Sequence, residues 1–147
     1  MNIEELIMLA INSKVISSSS GGGVGSLWLI KFENKDSFYF FCSWRIEHDN
    51  QVLASSNDDI IPRTGRIARN VSKLEGLKFL SFSLTEQYDL TLNFEDNYCV
   101  RAFCDISYSA TENGENYDTN WKYSVPDRDL TVCVTNYFKI KSKKYYS

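Results

Sequence analysis

The sequence predicts a mainly β protein (α+β by strict count): an antiparallel meander, folded as a sandwich or a strongly curved sheet, with one N-terminal helix. Three observations lead there. Residues 88, 90, 92 and 94 are Tyr, Leu, Leu and Phe, while 89, 91, 93 and 95 are Asp, Thr, Asn and Glu. That alternation suits a strand with one buried face and cannot serve a helix. Two connections between apolar runs, His48-Asp49-Asn50 and Glu95-Asp96-Asn97, read as three-residue hairpin loops ending in asparagine, which tolerates left-handed backbone. The remaining links are mostly short, as hairpins require.

Taken in chain order, residues 2–13 form an amphipathic helix, with Ile3, Leu6, Ile7, Ala10 and Ile11 on one face. Asn2 is its cap and Glu5 stands at the capping-box position. Residues 17–26, four serines followed by a glycine-rich run, read as a flexible linker. A β-meander then occupies 27–141. Its strands are Leu27–Phe32, Ser37–Glu47, Gln51–Ser56, Leu77–Thr85, Tyr88–Phe94, Tyr98–Cys104, Trp121–Val125 and Leu130–Lys141. Phe38, Phe40, Cys42, Trp44 and Ile46 share one face of the second, and Tyr39 and Phe41 make its start apolar on both sides, as a covered central strand would be. Residues 57–70 form a polar loop, to which Ile67, Val71 and Leu74 add a helical turn. The Glu95–Asn97 loop pairs Phe94 with Tyr98, Leu92 with Val100 and Leu90 with Ala102, keeping the apolar face continuous.

All 147 residues fit one domain, and aromatics at 14% supply its core. Sixteen basic and nineteen acidic residues leave a net charge of −3, with no general attraction for nucleic acid or an anionic membrane. Cys42, Cys99, Cys104 and Cys133 form no CxxC pair and sit in apolar runs, so they read as small buried hydrophobes, reduced, with no metal. The N-terminus starts with acids, and Leu6–Ile11 is too short for a signal core or a span, which places the protein in the cytoplasm.

Motifs for chemistry are sparse. The glycine run is followed by neither Lys-Ser nor Lys-Thr, and Trp28 breaks a GxGxxG pattern, so no phosphate cradle and no cofactor are expected. His48, the single histidine, lies in a turn without a nucleophile at a family-specific spacing. Segment 105–120 carries Asp105, Glu112, Glu115 and Asp118 with no lysine or arginine, a formal charge of −4, and leads into Trp121 and Tyr123. Acids beside aromatic anchors are what a surface for a basic protein uses, and these six residues are the candidate partner-binding set. A solvated loop with a few core rings is the plainer reading of the same segment.

Trp44-Arg45-Ile46-Glu47, Val52-Leu53-Ala54-Ser55-Ser56-Asn57-Asp58, Leu74 with Gly76, and Tyr88-Asp89-Leu90-Thr91-Leu92 with Phe94 form an ordered set. It resembles a group of small uncharacterised bacterial β-meander proteins, over residues 27–104. Some of that group are encoded near polymorphic or contact-dependent toxins and are taken to be immunity proteins. The resemblance implies a non-enzymatic protein that binds and neutralises a cognate toxin domain. The alternatives are a structural or regulatory binding module, such as a homodimer through Phe38–Phe41, and a small hydrolase with a cleft built from acids such as Asp58 and Asp105.

Overall fold

Strict alternation along most strands gives each one an apolar and a polar side, and two sheets bury the apolar sides against each other. The computed structural model describes residues 2–21, 25–105 and 119–144. A first helix, α1 (Ile3–Met8), precedes strands β1 (Val15–Ser19), β2 (Trp28–Phe32), β3 (Ser37–Phe40), β4 (Ser43–His48) and β5 (Gln51–Ser55). Helix α2 (Arg66–Val71) and a 3₁₀ turn at Ser72–Leu74 lead to β6 (Phe79–Leu84), β7 (Leu90–Phe94) and β8 (Tyr98–Phe103). Strands β9 (Thr119–Val125), β10 (Leu130–Thr135) and β11 (Ile140–Lys143) follow. These eleven strands form two antiparallel sheets, ordered β1-β2-β3-β9-β10-β11 and β5-β4-β8-β7-β6. The fold is thus mainly β, a sandwich, with a short N-terminal helix. Among the described residues no helix is long and apolar enough to cross a membrane.

The helix is shorter than its apolar spacing predicts. Asn2 Oδ1 accepts the Glu5 amide at 2.8 Å, as a cap should. Beyond Met8 the bonds tighten to i→i+3 over Leu9–Ile11, which still turns Ala10 inward beside Leu6 and Ile7. Two bonds tie this end to both sheets: Asn34 Nδ2 donates to Leu9 O, and the Asn12 amide donates to Phe79 O.

Four expectations are corrected. Residues 17–19 are not linker but part of β1, paired with β2. Composition misses this because a serine run hides the alternation: Ser18 points inward and accepts the Trp28 indole N–H at 2.9 Å. Gly21, at φ +96°, donates to Gly25 O and so closes the loop between these strands. The long strand expected over Ser37–Glu47 divides at Phe41-Cys42, where the chain passes from one sheet to the other, and Leu130–Lys141 divides around a turn into β10 and β11. The first asparagine-ended hairpin is a two-residue turn: His48 pairs with Gln51, and Asp49 and Asn50 both have positive φ. A bulge between Ile46 and Glu47 absorbs the missing residue and keeps the faces in phase. In the second hairpin the expected pairs Leu92–Val100 and Leu90–Ala102 are both present.

Large rings hold the sheets together. Trp28 and Trp44, one from each sheet, have centroids 4.5 Å apart. Phe32 and Phe38 from the six-stranded sheet meet Phe79 of β6 at 5.4 and 6.2 Å. Each indole N–H is satisfied: Trp44 donates to Ser26 O and Trp121 to Tyr88 O, alongside the Trp28 bond. We therefore expect Trp44→Ala to lower the unfolding free energy by about 3–5 kcal/mol in urea titration. Ile61→Ala, at a loop position 56% exposed, should change it by no more than about 0.5 kcal/mol.

Candidate docking face

The outer face of the five-stranded sheet follows from the alternation that builds the core. Trp44, Ile46, Leu90, Leu92, Val100 and Ala102 point inward and are buried. Their neighbours therefore point out, in two cross-strand rungs. One runs Arg45–Arg101–Thr91–Ser83, the other Glu47–Cys99–Asn93–Ser81.

Arg45 and Arg101 stand directly opposite one another, an unfavourable like-charge pair unless bridged. Glu47 bridges them. Its Oε2 accepts Arg45 Nε at 2.6 Å and Arg101 Nε at 2.8 Å. Arg101 Nη1 also reaches Thr91 Oγ1 at 3.4 Å, and the Arg45 guanidinium lies 5.1 Å from the centre of the Phe103 ring. The Glu47 side chain is 10% exposed, while those of the arginines are 41% and 40% exposed. Burial alone would raise the Glu47 pKa; the hydrogen bonds and charges of both arginines outweigh it and hold the carboxyl below its ordinary value. Two cations thus share one anion and keep donors directed to solvent, an arrangement suited to receiving a partner's carboxylate or carbonyl.

Next to this triad lies an open groove of about 380 Å³, lined by Glu47, Leu80, Asn93, Asn97, Cys99 and Arg101 among others. Exposed Leu80, Val52 and Phe103 add apolar area on the same sheet. Glu47 is held by its two cations, and burial pushes the Cys99 thiol up, away from the thiolate. Burial also raises Cys42, Cys133 and Cys104, the last to about 12. His48 stacks on Tyr98 with ring centres 4.2 Å apart. Among the described residues no three of His, Cys, Asp and Glu gather as a metal site.

The six residues expected from the sequence fare differently. Asp105 is exposed just beyond β8, with its amide donating to Asn120 Oδ1. Glu112, Glu115 and Asp118 lie outside the described residues. Trp121 and Tyr123 are corrected: both are fully buried, so no partner can reach either ring. Trp121, Tyr123 and Val125 alternate with Lys122 and Ser124, so the signal for an inward face was present. Tyr123 donates its hydroxyl to the buried Asp36 carboxylate. Of the acids proposed for a hydrolase cleft, Asp58 accepts the Ser55 amide, and neither it nor Asp105 lines the groove. The strand carrying Phe38 is paired on both sides, by β2 and β9, so a sheet cannot extend through it.

Comparison with protein-family models, with curated proteins and with solved structures finds no match for this chain.

Glu47→Gln should cost about 1–2 kcal/mol at pH 7, the value for a buried pair reduced by the exposure of both arginines. Because the folded pKa is lowered, the Glu47 contribution is present above the unfolded value of 4.5 and is lost as pH falls through the folded one. Urea midpoints of wild type and variant should therefore converge in acid.

Proposed function

We propose that this protein is an immunity-like binder acting in the bacterial cytosol, which docks a cognate toxin domain on the outer face of its five-stranded sheet and blocks it stoichiometrically. The observation that carries this reading is the Arg45–Glu47–Arg101 triad, beside an open groove and flanked by exposed apolar side chains. Arginine and aromatic groups with apolar neighbours are the usual energetic centre of protein interfaces. Asp105, two residues past the end of β8, is exposed, and the sequence from there to 120 carries Glu112, Glu115 and Asp118. Its charge speeds encounter with a basic partner, while the arginine face supplies lasting contacts. The resemblance over residues 27–104 supports the toxin as that partner.

The test is to read the genes flanking this one and to co-express the protein with any toxin domain that they encode. Wild type should restore growth, and the folded Arg45→Ala/Arg101→Ala variant should bind at least tenfold more weakly, or about 1.4 kcal/mol. Full protection by that variant would remove this face from the interface. Failure of wild type to protect would end the immunity reading.

A further inference from the structure

The edges of the two sheets are not equally guarded. An edge strand offers unpaired N–H and C=O groups to any other chain, and proteins normally cover or charge it. At β5, Leu53 O accepts both Arg66 Nε and Asn70 Nδ2 from α2. At β1, Val15 exchanges backbone bonds with Gly76 and Leu77, and Ala68 and Val71 of α2 lie beside Ser18–Ser20. Strand β11 carries exposed Lys141 and Lys143. Strand β6 has none of these protections beyond its first residue. Phe79 bonds outward to Asn12 and Ser13, and among the described residues the cover stops there. From Phe79 to Thr85 the sequence is Phe-Leu-Ser-Phe-Ser-Leu-Thr, without charge or proline.

The register tells which groups are left over. The Thr85 amide donates to Asp89 O, so this pair faces inward to β7. Because direction alternates, Ser83 with Thr91 and Ser81 with Asn93 also face inward. Phe82 and Leu84 therefore turn their N–H and C=O away from β7, and no described residue pairs with those backbone groups. The bulge between Phe79 and Ser81 precedes this stretch and does not shield it.

We propose that β6 pairs antiparallel with β6 of a second copy of this chain, joining two five-stranded sheets across a twofold axis. The edge favours its own kind: it is neutral, so no charge selects a foreign strand, and its two outward residues are self-complementary. Phe82 meets Leu84 of the second copy and Leu84 meets Phe82, each pair exchanging both backbone bonds. Ser83 then sits on the axis, opposite Ser83 of the second copy, as a non-hydrogen-bonded pair with close side chains. This edge borders the face of the Arg45–Glu47–Arg101 triad, with Ser83 at the far end of the rung that carries both arginines, but its test needs no toxin.

Ser83 is exposed, so Ser83→Lys and Ser83→Glu should fold as wild type does. Sedimentation equilibrium should find wild type dimerising in the micromolar range. Each charged variant should dissociate several-fold more readily, because like charges face each other at the axis. An equimolar mixture of the two should regain the dimer. Wild type that stays monomeric to about 1 mM would overturn the proposal, as would variants that dimerise like wild type or a mixture no tighter than its components. A monomer that instead accepts a strand from another protein would overturn this choice of occupant.

Discussion

One buried residue holds both places where the chain changes sheets. Asn120, 1% exposed, stands in β9. Its backbone carbonyl accepts the amides of Phe41 and Cys42, where β3 gives way to β4. Its side chain receives the Asp105 amide and donates to Asp105 O and Thr135 O, so it also grips the exit from β8 and the end of β10. A sandwich needs its two sheets to meet at a defined offset, and rings alone do not set one, because apolar packing has little directionality. Hydrogen bonds with buried partners do, since a slipped register would leave several polar groups without any.

Strand β9 extends this role along its length. Trp121 reaches Tyr88 in the link between β6 and β7, and Tyr123 reaches Asp36 in the turn between β2 and β3. Burial lifts Asp36 above its ordinary pKa despite the hydrogen bonds from Tyr123 and Asn34, so that carboxyl adds its stabilisation most fully in acid, opposite in sign to Glu47. The charged groups of the five-stranded sheet stand instead on its outer face. Arg45 and Arg101 tolerate their opposition only because Glu47 lies within reach of both. An interface using these guanidiniums inherits a fixed geometry at little further entropic cost.

Much of the sandwich was legible in local pattern. The alternation at residues 88–94, the cap at Asn2, the turn at Ile67–Leu74 and the Glu95–Asn97 register all depend on neighbours within about a dozen residues. What could not be read depends on distance along the chain. Ser17–Ser19 is a strand because Trp28 and β2 make it one, whereas its composition suggests a linker. The break at Phe41-Cys42 depends on Asn120, far away in sequence. The site shows the same division. That Arg45 and Glu47 point outward follows from their alternation with Trp44 and Ile46, but Arg101 joins them only through the pairing of β4 with β8. Trp121 and Tyr123 were misread because aromatic residues suit cores and interfaces equally well, and only position within an alternating strand separates the two.

The keystone role of Asn120 is tested most directly by the stability of Asn120→Ala in urea unfolding. The substitution strands the Asp105 amide and the carbonyls of Asp105 and Thr135. It should cost about 2–4 kcal/mol and expose the Asp105 amide to rapid hydrogen exchange. A variant within about 0.5 kcal/mol of wild type, with that amide still protected, would contradict the account.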